Sequence, residues 1–213
     1  MPFTEAQFFA VFQAWNAAAW PAQPLAYALA AVTTALALAG APGGGRLLAG
    51  VLAAMWLANG LGYHLVQFSR INPLAPAFAA LFVLQAGLLV AWGVLHDGLR
   101  LRAAWRPWPV VGLACLAYAA VIYPLIGLAL GRDAAALPWL GIAPCPTVIY
   151  SIGVLLLARP VVPAWLFAGP LAWAAIGGSA AVLLRVPQDW GLLAAGLLAA
   201  AHLLRRDAPL KGC

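Results

Sequence analysis

Apolar runs long enough to cross a bilayer, with charged residues confined to their ends, constrain this sequence more than any other feature. Stretches such as Leu47 to Leu57 and Leu192 to Ala201 are continuous and uncharged. Where no water is available, the backbone must satisfy its own hydrogen bonds, which leaves helices or closed barrels. A barrel strand would alternate apolar and polar residues over about ten positions. These runs do not alternate, so the expected fold is all-α, a polytopic transmembrane helical bundle. Hydrophobic residues make up 66% of the chain and charged ones 8%, against roughly 45–50% and 25% in a soluble domain. At about 20 residues per crossing, the 213 residues form a single transmembrane domain, 1–213, with no separate soluble part.

Charges and Pro/Gly clusters divide the chain into about seven expected spans, near 24–40, 47–68, 76–95, 108–130, 146–158, 163–184 and 188–204. With that count, Arg46, Arg100, Arg102, Arg106, Arg159, Arg205, Arg206 and Lys211 fall on one side, and Arg70, Arg132 and Arg185 on the other. The positive-inside rule makes the richer side cytoplasmic, so the N-terminus is expected outside and the C-terminus inside. The net charge of +6 comes from cations scattered over span ends, which is a topology signal and gives no reason to expect nucleic acid as a partner. The lipid bilayer is the partner the composition demands. Of the three cysteines, Cys115 lies well inside a span and Cys213 ends the chain, so no structural disulfide is expected.

Residues 4 to 20 differ from the rest. Phe8, Val11, Phe12, Trp15 and Ala19 follow helical spacing on one face, with Glu5, Gln13 and Asn16 off that stripe and Thr4 and Gln7 spaced as a capping box. The segment reads as an N-terminal amphipathic helix in the outer interface, with Trp15 and Trp20 at headgroup level. It lacks the basic start and long apolar centre of a secretory signal. Gly177, Gly178, Ser179, Gly191 and Ala195 supply small surfaces for close helix packing.

Polar residues within spans are costly in hydrocarbon and turn toward protein or a cavity. On the second span, at 100° per residue, Asn59, Arg70, Tyr63, Gln67, Gly60 and His64 share an arc of about 140°, while Leu57, Leu61, Leu65 and Phe68 lie outside it. Singly, such residues are cross-helix glue. Together they mark one face of a candidate ligand cavity, with Gln85 on the third span as the natural cross-helix partner. Pro144 and Pro146 flank Cys145 at the opening of the fifth span, ahead of Thr147, and two prolines free nearby carbonyls for a ligand or water. The Asn72-Pro73 turn completes a set that converges on the outer leaflet. The candidate ligand-binding residues are therefore Asn59, Tyr63, His64, Gln67, Arg70, Asn72, Gln85, Cys145 and Thr147, expected to receive a neutral or anionic molecule.

No cofactor is expected. The only lysine, Lys211, is in the tail, which excludes a retinal Schiff base. His96 and His202 sit at the far ends of their helices from His64, which disfavours a bis-histidine haem. Glu5, Asp97, Asp133, Asp189 and Asp207 all fall at segment ends, so an intramembrane carboxylate for proton coupling is not expected.

The segments Tyr63-His64, Phe68-Ser69-Arg70-Ile71-Asn72-Pro73, Gln85, Tyr123-Pro124-Leu125-Ile126-Gly127 and Pro144-Cys145-Pro146-Thr147 resemble those of an uncharacterised bacterial family of small multi-pass membrane proteins of unknown function. The resemblance covers residues 59 to 155, with Val148 where that family favours a second threonine. It implies a bacterial inner-membrane location and supplies no reaction.

Three function classes follow. The leading one is a small-solute transporter or channel-like protein with an outer-facing polar cavity. The second is a non-catalytic subunit or assembly factor packing against a membrane-protein partner or a second copy. The third is a membrane-embedded enzyme or soft-metal-binding protein built on Cys145 and His64, which would need further ligands or a base.

Overall fold

The computed structural model describes residues 2–207, without the side chains of Ala180 and Asp207. Lys211 and Cys213 lie outside the described residues. The chain is helical throughout, and its only β-type pairing among the described residues is an isolated bridge between Leu101 and Ala158.

Helix α1, Glu5–Ala19, begins with the capping box that Thr4 and Gln7 announce, each side chain bonding the other's backbone. It turns by 80° into α2, Ala22–Leu38. A left-handed Gly43 (φ 72°) starts α3, Gly44–Leu57, which continues without a break into a π-helical stretch, Ala58–Gln67, and a short 3-10 turn, Phe68–Arg70. Helix α4, Ala75–Leu89, likewise ends in a π stretch, Val90–Leu95. Helices α5, Pro107–Ala117, and α6, Tyr123–Ala129, are joined through a third, Tyr118–Ile122. Then come α7, Pro144–Leu157; α8, Ala168–Gly177, entered through a 3-10 turn; α9, Ser179–Leu183; and α10, Trp190–Asp207. Prolines open α4, α5 and α7, where a missing N–H costs no hydrogen bond.

Helices thus occupy every segment expected to span. Among the described residues, four are long and apolar enough to cross a bilayer: Gly44–Arg70, Ala75–Leu95, Pro107–Ala129 and Ala164–Leu183. A fifth is reached if α1 and α2 form one bent unit. This is a membrane protein with four or five such segments, fewer than the sequence led us to expect. Helix α7 is short for a span at 14 residues, and α10 ends in Arg205, Arg206 and Asp207.

Helix α7 is the axis of the bundle. Every residue from Pro144 to Leu157 is buried, which explains a sequence apolar on all sides. It meets α5 at glycine on both sides: a Cβ on Gly112 would come within 2.8 Å of the Gly153 carbonyl oxygen, and one on Gly153 within 2.7 Å of the Gly112 oxygen. Buried hydroxyls tie α7 to its other neighbours. The Trp56 indole donates to Ser151 Oγ at 2.9 Å, and Thr34 and Tyr150 share a hydrogen bond of 2.7 Å.

Helix α1 packs its apolar face on protein. Phe8, Phe9, Val11, Phe12 and Asn16 are buried against the ends of other helices. Asn16, assigned by spacing to the polar flank, donates from Nδ2 to the carbonyls of Ala135 and Leu137, both at 2.8 Å. Trp15, expected at headgroup level, turns its indole N–H onto the Ile142 carbonyl at 2.7 Å. Trp20 is 70% exposed. Arg132 fastens the helix from outside, bonding Glu5 at 2.6 Å with its guanidinium 3.6 Å from the centre of the Phe9 ring.

Candidate functional site

The π-helical stretch sets which side chains of the second expected span turn inward. Its i→i+5 bonding widens each turn, so residues four apart stay on one face. Asn59, Tyr63 and Gln67, and beside them Gly60 and His64, are buried, while Leu57, Leu61 and Leu65 are exposed. Arg70 leaves this face and is exposed. Phe68, outside the arc by α-helical spacing, is 5% exposed because the 3-10 turn after the π stretch swings it inward.

Under α1 lies a cavity of about 320 Å³. Phe3, Phe8 and Phe12 roof it; Tyr63, His64, Phe68, Asn72 and Phe78 form one wall; Pro144, Cys145, Trp173, Ile176 and Leu184 form the other. Aromatic rings dominate. Phe12 stacks on Tyr63 at 4.8 Å, Tyr63 on Phe68 at 5.5 Å, and Phe3 meets Phe68 edge-on at 5.3 Å. The polar cavity expected from the sequence is therefore largely apolar, and Asn59, Gln67 and Arg70 of the polar arc do not line it.

Of the expected site residues, the structure brings Tyr63, His64, Asn72 and Cys145 to this cavity. The others are not on its wall. Asn59 Nδ2 donates to the carbonyls of Met55 and Gly141 at 2.7 and 3.1 Å and lies 3.4 Å from Thr147 Oγ1. Thr147 donates in turn to the Ala143 carbonyl at 2.7 Å and accepts from the Gly141 N–H. Gln85 does not join the polar arc: it clamps the start of α8, donating to the Leu166 carbonyl at 2.9 Å and accepting from the Gly169 N–H at 3.2 Å. Gln67 is buried away from the cavity. Asn72 borders the cavity while its Oδ1 accepts from the Leu74 N–H, an Asx turn. Of the carbonyls near Pro144 and Pro146, that of Ile142 accepts from Trp15, that of Gly141 from Asn59 and that of Ala143 from Thr147.

His64 is fully buried in a ring cage, 4.8 Å from both Phe82 and Trp173 by ring centres and 5.7 Å from Phe78. Neither of its nitrogens has a hydrogen-bond partner. Behind Cys145 stands a group that spacing did not foresee. Asp189, expected at a span end, is 1% exposed and accepts from the Tyr123 hydroxyl at 2.6 Å, and its Oδ2 has no partner. The Cys145 thiol lies among Asp189, Tyr123 and Trp173. The neighbouring Gln188 is fully buried with both side-chain polar atoms unpartnered, and its carbonyl accepts from the Tyr118 hydroxyl at 2.8 Å. Asp189 stands at a segment end, as its position in the sequence indicates, but it is buried in the protein there. Asp189 comes inside because the 3-10 turn Pro187–Asp189 folds back onto α6 before α10 begins. The signal available was the Tyr123-Pro124 segment, which supplies its partner. No group of three or more His, Cys, Asp or Glu suited to a metal ion occurs among the described residues.

Residues 5–210 match a family of unknown function (DUF6064), and the chain belongs to that family. No curated protein and no solved structure matches it.

Proposed function

We propose that this member of DUF6064 is a small-solute carrier of the bacterial cytoplasmic membrane, and that the cavity under α1 receives a small amphiphile, neutral or anionic. One observation carries the reading: where α1 meets the bundle there is a ring-lined space of about 320 Å³ instead of solid packing. Burying an apolar body there is favourable by about 25 cal/mol per Å². A wholly apolar molecule would cross lipid unaided, so a carrier matters for one that also bears a polar head. At the cavity's edge Phe3 and Leu184 also border a cleft that contains Arg185. Glu5 shares that cleft but is already paired with Arg132. An anionic head at Arg185, with the body under Phe8 and Phe12, uses both features. The excess of cations at the opposite end supports a cytoplasmic placement of that end and an outward-facing cavity.

The test is uptake of labelled octanesulfonate into liposomes reconstituted with the purified chain, since a sulfonate stays ionised and leaks slowly. Saturable uptake is expected, and Ile176→Trp, which fills the cavity, should abolish it. Uptake equal to protein-free liposomes would reject the carrier. Saturable binding without uptake would favour a non-transporting subunit.

A further inference from the structure

An open groove of about 540 Å³ runs along the outside of α2 and α3 and shares no residue with the cavity under α1. Buried Ala26 and Met55 make its floor, and the exposed Leu25, Leu29 and Leu47 stand at its rims. Gly50 opens its middle, where a Cβ would meet only Val94, at 3.9 Å. Arg46 lies at one end. The other end is closed by Gly141, where a Cβ would come within 2.5 Å of the Ala26 Cβ. From Arg46 to Ala58, which lines the closed end, the helix rises by about 18 Å.

Shape and charge together select an occupant. The hydrocarbon core of a bilayer is about 30 Å thick, so one leaflet spans about 15 Å, close to the length of the groove. Averaged over that length, the groove has a section of about 30 Å². This is room for a hydrocarbon chain and too little for a helix, which is about 10–12 Å across. At the open end, Arg46 Nε and Arg100 Nη2 both reach toward Asp97, each at 3.8 Å, so two cations share one carboxylate. Those distances are too long for hydrogen bonds, and the two arginine side chains are 52% and 73% exposed. The Arg159 N–H bonds the Arg100 carbonyl at 2.8 Å, which brings a third arginine to the same end.

We propose that this groove seats an anionic phospholipid of the leaflet on the arginine-rich side, with one acyl chain along α3 and the phosphate at Arg46 and Arg100. A guanidinium presents its donors in the planar fork that phosphate oxygens accept. A zwitterionic lipid carries the same phosphate but brings its own cation to a place that already has one in excess. A free phosphate ester would meet the arginines and leave the groove bare. Asp97 sets the strength of the seat, because it offsets one of the two cations. The seat is independent of transport and stands whether or not the cavity under α1 carries a solute.

The experiment is native mass spectrometry of the delipidated full chain in detergent, titrated with dioleoyl-phosphatidylglycerol, dioleoyl-phosphatidylcholine and glycerol 3-phosphate. Saturable binding of phosphatidylglycerol is expected, about fivefold tighter than phosphatidylcholine, as one spare cation gives an anionic headgroup. Glycerol 3-phosphate should not bind at the same concentrations. Gly50→Leu puts a side chain into open space, so it should fold like the parent and bind phosphatidylglycerol at least about tenfold more weakly. Asp97 has a φ of 49°, which asparagine tolerates. Asp97→Asn frees the second cation and should tighten phosphatidylglycerol about fivefold, whereas a purely structural role for the Arg46, Asp97 and Arg100 cluster would not tighten it. The proposal is overturned if phosphatidylcholine or glycerol 3-phosphate binds as tightly, if Gly50→Leu binds like the parent, or if Asp97→Asn binds no tighter. A dimer that Gly50→Leu splits would give the groove to a second copy and overturn it too.

Discussion

Two polar clusters descend from the same helical segment and meet opposite fates. Around Asn59, the amide, the Thr147 hydroxyl and the loop carbonyls before α7 bond one another. One turn further on, His64 has no partner for either nitrogen, and across the cavity Asp189 keeps one free oxygen. By residue type and position the two look alike. They differ in how far neighbours complete them: Asn59 leaves only its Oδ1 unpartnered, whereas His64 bonds through neither nitrogen. The largely bonded cluster reads as architecture, and the unbonded one, beside an open space, as a place prepared for something else.

Substitutions can break this contrast. The largest effect is expected from Asn59→Leu, which strips a donor from two carbonyls inside the bundle and should destabilise the fold by ~2–3 kcal/mol, read as a lower unfolding midpoint in bicelles. A midpoint like the parent's would show that Asn59 is not structural. Next, Asp189→Leu should cost ~1–2 kcal/mol by leaving the Tyr123 hydroxyl unpaired, while Asp189→Asn keeps an acceptor and should lose less. Equal losses would mean the Tyr123 bond is unimportant. Arg132→Met should cost ~0.5–1 kcal/mol, because its Glu5 partner is partly exposed. A double-mutant cycle with Glu5→Gln measures the pair, and a coupling near zero would leave ring contact as the whole effect. The smallest effect belongs to His64→Phe, which removes two unpartnered polar atoms from a ring cage and should leave stability unchanged or raise it by up to ~1 kcal/mol. A clear drop in midpoint would reveal a partner for the imidazole and place His64 with Asn59.

The sequence carried the helices well and the site in part. Runs such as Leu47 to Leu57 leave a chain in lipid few choices, so segment positions followed directly. The polar arc survived because residues four apart share a face in both α- and π-helices: Asn59, Tyr63 and Gln67 are buried together. What spacing could not show is where each amide finds its partner. Gln85 meets α8 and Asn16 meets the Ala135 and Leu137 carbonyls, contacts far along the chain that carry no local pattern. Asp189 was hidden for the same reason, since a carboxylate beside proline at a span end ordinarily faces water. Phe8 and Phe12 were legible as part of an apolar stripe, but nothing local shows that the stripe closes over a cavity instead of resting on lipid.

The seat of α1 has a consequence for how the molecule is made. Its Trp15 indole bonds a carbonyl 127 residues further along, and its Asn16 amide bonds one 121 residues further along. At ribosomal speeds of about 5–20 residues per second, those partners emerge roughly ten seconds after the helix itself. Until then Phe8 and Phe12 have no roof to form and must wait on the membrane surface or against the insertion machinery. The cavity is consequently among the last features assembled, and a translational pause before Ile142 would prolong the time its aromatic lid stays undocked.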